Sequence, residues 1–224
     1  MKFKLLYANF TKLLLADLIY PILLAFMIIF EIMFNMLIGS NTTIKFTSII
    51  IMNFFIAIIL AMYFLKKDTD ENRYLKQRVN NYHLYAITQM LVLVTANLIL
   101  AIFSGIFTFM FSNSPGANAT MLLTLITTQW VATAIVFTCR SQWTNHKYIA
   151  TICLVIVVFF ALADSNNAVL VYINWILPPV SNMVVTFQEK SKMLALFPLV
   201  IRQLAYAIIL FGISEFFNKK SYIK

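Results

Sequence analysis

The chain predicts an all-α polytopic membrane protein, and three observations lead there. Of its 224 residues, 62% are hydrophobic and only 11% charged, with a mean hydropathy of +0.86. A soluble domain carries about 25% charged residues, so this composition cannot build a water-facing surface. The apolar residues gather in runs near the roughly 20 residues that a helix needs to cross the hydrocarbon. Lysine and arginine crowd the ends of alternate runs, as membrane topology requires.

Residues 1–17 come first. Phe3, Leu6, Tyr7, Phe10, Leu13 and Leu14 recur at helical spacing, with Lys2, Asn9 and Lys12 on another side. That pattern predicts an interfacial amphipathic helix on the inner leaflet. A plain N-terminal extension of the first span is the alternative, because Leu5 and Leu15 blur the stripe. No small-residue cleavage site precedes the first span, so these residues are not read as a signal peptide.

Six transmembrane helices follow within a single transmembrane domain, 1–224. Their expected bounds are 19–38, 46–64, 86–110, 120–139, 148–163 and 194–217, each run being closed by polar, proline or charged residues. Lys/Arg placement orients them. With the N-terminus inside, cytoplasmic segments hold Lys2, Lys4, Lys12, Lys66, Lys67, Arg73, Lys76, Arg78, Arg140, Lys147, Lys219, Lys220 and Lys224. The outer segments hold Lys45, Lys190 and Lys192, and Arg202 lies within the last span. Thirteen against three is a strong positive-inside bias, so both termini are expected in the cytoplasm.

The net charge of +9 is thereby explained by topology and anionic headgroups, and no nucleic-acid partner is expected. Cys139 and Cys153 lack metal-ligand spacing and sit near the cytoplasmic side, where a disulfide is not expected. Only four glycines are present and no G-x-x-x-x-G-K-[ST] occurs, so this chain holds no phosphate-cradling loop and does not itself hydrolyse ATP. His83 and His146 fall in cytoplasmic connections, without H-E-x-x-H or paired carboxylates, and no metal site is expected. No G-x-S-x-G occurs either.

Two connections stand out. The segment 65–85 holds eight of the 25 charged residues and no proline or glycine. Tyr74, Leu75, Val79 and Tyr82 suit a short amphipathic helix that docks on a cytoplasmic partner, aromatic anchors in a charged rim being what interfaces use. A solvated loop on the headgroups fits the same residues. The external segment 164–193 contains apolar pieces too short to span, broken by Pro178-Pro179 and carrying Trp175. A re-entrant or interfacial hairpin is expected there, with a surface loop anchored by tryptophan as the alternative.

Within the spans, Glu31 and Arg202 are ionisable residues, each roughly 10–12 Å from the outer end of its helix at about 1.5 Å per residue. Either alone costs at least roughly 2.5–3.5 kcal/mol on insertion scales. Matched depth and opposite sign predict an ion pair, or that both face a polar cavity. Asn35, Asn53, Gln89, Asn97 and Gln129 add amides that hold helices together or line a pathway. Thr124, Thr128 and Ala132 offer a flat face for close helix approach, in a dimer or within the bundle.

Glu71-Asn72-Arg73-Tyr74-Leu75, followed by Lys76 to Tyr85, resembles the second-to-third connection of the permease subunits of type-2 ABC exporters, the ABC-2 membrane family. The usual Gly-Thr is replaced by Arg73-Tyr74. An N-terminal amphipathic helix, six spans and an external re-entrant segment are similar to that family as well. The resemblance covers the chain by architecture and about fifteen residues by motif. It implies that Glu71, Arg73, Tyr74 and Leu75, with Val79 and Tyr82, contact cytoplasmic ABC ATPase subunits, where ATP and Mg are bound. It implies a non-catalytic chain without a cofactor of its own, paired in the bilayer with a second permease subunit, the same chain or a paralogue. Small size and many aromatics look like the bacterial permeases of bacteriocin and lantibiotic immunity, whose cargo is an amphipathic peptide or lipid-like molecule. That would place the chain in a bacterial cell membrane. Two other functions fit the composition: an intramembrane metalloprotease-like enzyme, which needs a carboxylate pair and histidines at membrane depth, and a non-transporting membrane immunity or scaffold protein.

Overall fold

The computed structural model describes residues 2–16, 18–37, 42–71, 79, 81–109, 115–142, 147–163, 177–190 and 192–218. Among them there are no strands, and the helices are α1 (Lys2–Leu15), α2 (Ile19–Leu37), α3 (Thr42–Glu71), α4 (Tyr82–Phe109), α5 (Pro115–Gln142), α6 (Lys147–Leu162), α7 (Val180–Lys190) and α8 (Phe197–Asn218). A 3₁₀ turn, Met193–Leu196, leads into α8. Lipid offers no hydrogen bonds to an open backbone, so helices are the expected solution for segments this apolar.

Four of these helices are long and apolar enough to cross a membrane: α3, α4, α5 and the last, counted from Leu194. A fifth is gained if α1 and α2 count as one span, although their axes differ by 60°. The shorter α6 is apolar throughout Tyr148–Leu162. Several helices run past the expected bounds, α4 beginning at Tyr82 and α5 at Pro115, and most of all α3, which begins at Thr42 and continues through Lys66 and Lys67 to Glu71. Those charges end the apolar run but not the helix, because lysine and glutamate are good helix formers.

At the centre lies α5, packed against α3, α4, α6 and, most extensively, α8. Its Thr124, Thr128 and Ala132 are completely buried, so the flat face serves the internal bundle. Thr127 Oγ1 donates to Gln203 Oε1 of α8 at 2.7 Å, and Thr138 Oγ1 donates to the Leu210 carbonyl at 3.2 Å. Large apolar side chains lie exposed along α2 (Ile22, Phe26, Ile29, Met33), α6 (Ile152, Val155, Ile156, Phe159) and α8 (Ile201, Ile208, Ile209, Phe216). Exposure on that scale fits a lipid solvent and no aqueous one.

Side-chain contacts set the direction of each helix. Asn53 of α3 meets Ser104 of α4, and Asn97 of α4 meets Thr133 of α5, which fits antiparallel neighbours. The thiols of Cys139, late in α5, and Cys153, early in α6, interact, and both cysteines are free. Leu162 at the end of α6 shares a pocket with Ile51 near the start of α3. The direction therefore alternates from α3 to α6. Mild oxidation with copper–phenanthroline is expected to join Cys139 to Cys153 within one chain. The test is the loss of both titratable thiols without a dimer on a non-reducing gel, and oxidation that yields only intermolecular dimers counts against this packing.

The two short helices sit at opposite ends of the bundle. Helix α1 packs chiefly on α4, where Phe10 is fully buried between Phe64 of α3 and Tyr85 of α4. The ring centroids are 5.8 and 5.1 Å away, both edge-on. Tyr7 Oη lies 2.9 Å from Thr95 Oγ1 on the same side. At the far end, α7 buries Val180, Met183 and Phe187, one stripe at helical spacing. Phe187 packs edge-on against Phe46 in α3 at 4.9 Å. With 11 residues, about 16 Å long, α7 cannot span. Pro178 and Pro179 are buried immediately before its first residue, where a missing N–H costs nothing.

Candidate functional site

The interior holds a file of polar side chains contributed by four helices. Gln129 Nε2 (α5) donates to Asn53 Oδ1 (α3) at 2.5 Å. Asn53 Nδ2 donates to Ser104 Oγ (α4) at 3.1 Å and to the Ile49 carbonyl at 2.9 Å. Ser104 Oγ donates to Glu31 Oε1 (α2). One turn along α5 from Gln129, Thr133 Oγ1 donates to the Gln129 carbonyl at 2.9 Å and accepts from Asn97 Nδ2 (α4) at 2.6 Å. Glu31, Asn53, Asn97, Ser104, Gln129 and Thr133 all have 0% exposure.

The file has a direction. From Gln129 through Asn53 and Ser104, every donor points toward the Glu31 carboxyl, which is where the series ends. Aligned donors of this kind polarise one another in a low-dielectric interior. Several buried acceptors are left over: Glu31 Oε2, Gln129 Oε1 and Asn97 Oδ1 have no hydrogen-bond partner among the described residues. A buried polar atom without a partner costs about 1–3 kcal/mol. A membrane-embedded carboxyl among such atoms is a functional-site candidate by default.

The expected ion pair between Glu31 and Arg202 is corrected by this geometry. The carboxyl meets the Ser104 hydroxyl, not a guanidinium. Helix α2 packs on α3, α4 and α1, whereas α8 packs chiefly on α5. Arg202 is half-exposed on α8, close enough to Tyr206 to act on its hydroxyl. Equal depth is not equal azimuth.

Other sequence-predicted residues are distributed as follows. The side chains of Asn35, Glu71, Arg73, Tyr74, Leu75 and Trp175 lie outside the described residues. Val79 is buried, and Tyr82 is half-buried in the first turn of α4. Pro178 and Pro179 are buried directly before the first residue of α7. A pocket of about 550 Å³ lies between α3, α6 and α7, lined by Ile51, Leu162, Val184 and Val185 with Ser181, Gln188 and Glu189. Among the described residues, no three of His, Cys, Asp and Glu come together in a way that could hold a metal ion.

Sequence reasoning missed Ser104, Thr133, Gln203 and the contact of His83 with Glu215. Asn97 and Ser104 are seven apart on α4 and so share a face, which was the available signal. His83 Nδ1 lies 2.7 Å from Glu215 Oε1, joining the first turn of α4 to the last turns of α8. The imidazole is 58% exposed, and an exposed pair contributes at most about 1 kcal/mol. Glu215→Gln is therefore expected to move the thermal midpoint only marginally in differential scanning fluorimetry. A large drop would mean that the contact is what closes α8 on α4.

No protein-family model, curated protein or solved structure matches the chain.

Proposed function

We propose that this chain is the membrane-spanning permease subunit of an ATP-driven exporter of the ABC-2 type. In this reading, α2, α3, α4, α5, α6 and α8 are six spans of a bacterial cell membrane, and both termini are cytoplasmic. Helix α1 lies on the inner leaflet and α7 caps the outer end within a re-entrant segment. Separate ATPase chains, with ATP and Mg, dock on 65–85, and a second permease completes the pathway. The cargo is an amphipathic or hydrophobic peptide, removed from the membrane in self-protection.

Phe10 carries this reading. It sits against Phe64 and Tyr85, the residues that bracket the cytoplasmic connection, so one interfacial helix holds both roots of the segment that an ATPase would push. A push on 65–85 then moves α3 and α4 together. Those helices carry Asn53, Asn97 and Ser104, so the motion shears the polar file at its contacts with Glu31 and Gln129. The alternating helix directions and the Lys/Arg bias support the six-span arrangement. No observation favours an intramembrane enzyme, and an immunity scaffold would not need a buried carboxyl.

The experiment is gentle detergent extraction of the tagged chain from its native membrane, with mass spectrometry of what accompanies it. An ATP-binding subunit is expected in stoichiometric amount, with ATPase activity that rises when an amphipathic peptide is added. A chain that comes out alone and still moves cargo in vesicles without nucleotide would overturn the proposal.

A further inference from the structure

We propose that the cavity beside α7 binds a single-chain amphiphile with a positively charged head, of the alkylammonium class. This goes beyond the exporter reading and does not depend on an ATPase partner. The cavity follows from how the helices meet. Helices α3 and α6 both pack on α5, yet among the described residues they share little contact with each other, and α7 bridges the wedge between them. The space of about 550 Å³ falls within the roughly 300–1,000 Å³ that small-molecule sites occupy.

Helix α7 uses two faces. Val180, Met183 and Phe187 are buried against the bundle. Ser181, Val184, Val185 and Gln188 make a second stripe at helical spacing, and that one lines the cavity. Ile51 of α3 and Leu162 of α6 add further apolar lining. From Ser181 to Glu189 the lining runs about 12 Å along the helix axis, which accommodates the tail of a medium-chain amphiphile. Charge sits at one end. Gln188 and Glu189 lie in the last turn of α7, and Glu189 is the one charged residue among the described residues of the lining. Its side chain is exposed and makes no ion pair among the described residues. Lys190, about two and a half turns on from Ser181, is carried to the opposite side of α7 and does not line the space. An alkyl tail against Ile51, Leu162, Val184 and Val185, with an ammonium at Glu189, satisfies both ends, and the head keeps water on its exposed side. An anionic head would face the carboxylate, and a neutral one would leave it unused.

The test uses the full-length chain in phosphatidylcholine nanodiscs, whose net-neutral surface favours neither sign of charge. Three photoreactive probes share one dodecyl diazirine tail and differ only in the head: amine, alcohol or carboxylate. Mass spectrometry of the digested chain is expected to find the amine probe on peptides that contain Ile51 or Leu162, saturably and displaced by unlabelled dodecylamine. The amine is expected to label them about fivefold more than the alcohol, which is what an exposed charge pair supplies at most (about 1 kcal/mol, at 1.4 per factor of ten). Glu189→Gln removes that preference, and Glu189→Lys passes it to the carboxylate probe. Glu189 is exposed, so both variants are expected to fold. Val185→Trp crowds the apolar lining and lowers labelling by all three heads. Equal labelling by amine and alcohol in wild type overturns the charged site and leaves a groove filled by lipid tails. So does a head preference that Glu189→Lys does not change, or labelling of the exposed face of α8 as strong as that of the cavity.

Discussion

Asn53→Leu is expected to lower the unfolding free energy by about 1–3 kcal/mol, the largest loss from any single amide in the file. Asn53 joins three helices: its Nδ2 reaches Ser104 of α4, its Oδ1 accepts from Gln129 of α5, and its backbone belongs to α3. Interhelical hydrogen bonds inside membranes average about 0.6 kcal/mol and reach about 1.7, and Asn53 makes two. Leucine fills similar volume, so the loss reflects polar contacts and not a cavity. It also strands Gln129 Nε2, a buried donor, which adds the cost of an unpaired group. Steric trapping or SDS titration of the protein in bicelles measures the change. Gln129→Leu in the Asn53→Leu background should cost less than it does alone, because its donor then has nothing left to lose. Strict additivity of the two substitutions would show that the residues do not act through one another.

Most of the scaffold was legible because lipid leaves so few options. A long segment that is apolar all round has to be a helix buried in lipid or in protein, and the Lys/Arg ends mark where each one stops being apolar. Those ends say where hydrocarbon ends, not where a helix ends, which is why α3 outruns the expected boundary by several residues to Glu71. Rotation about each axis was not legible. Glu31 and Arg202 have matching depth, but depth is one coordinate of two, and α2 turns its carboxyl toward Ser104 of α4. Soluble helices reveal their rotation through an amphipathic stripe; spans surrounded by lipid on one side and by apolar neighbours on the other have little stripe to read. A stripe was readable in α1, where Leu6, Phe10 and Leu14 are buried on one side; the stripe of Val180, Met183 and Phe187 in α7 went unread.

Phe10→Ala is expected to have the largest effect of all, about 3–5 kcal/mol on the docking of α1, by analogy with large-to-small changes of buried aromatics. The ring is completely buried and makes two edge-on aromatic contacts, to Phe64 and Tyr85, each worth a further fraction of a kcal/mol to about 1.5 beyond area. The neighbours cannot refill the space easily, because the cavity lies under a helix whose other face is exposed. Hydrogen exchange measures this directly. A loss of about 3 kcal/mol, at 1.4 per factor of ten, speeds opening of residues 2–15 by roughly two orders of magnitude while the α5 amides stay protected. Phe10→Leu refills most of the space, and its effect should fall well below that of alanine. The functional consequence separates docking from folding. If the proposed exporter reading holds and α1 ties the two roots of 65–85 together, the alanine variant should still bind the proposed ATPase yet lose most peptide-stimulated turnover, since a push on the connection is no longer shared between α3 and α4. Unchanged coupling despite rapid exchange in α1 would remove this helix from the transmission and leave it as a membrane anchor alone.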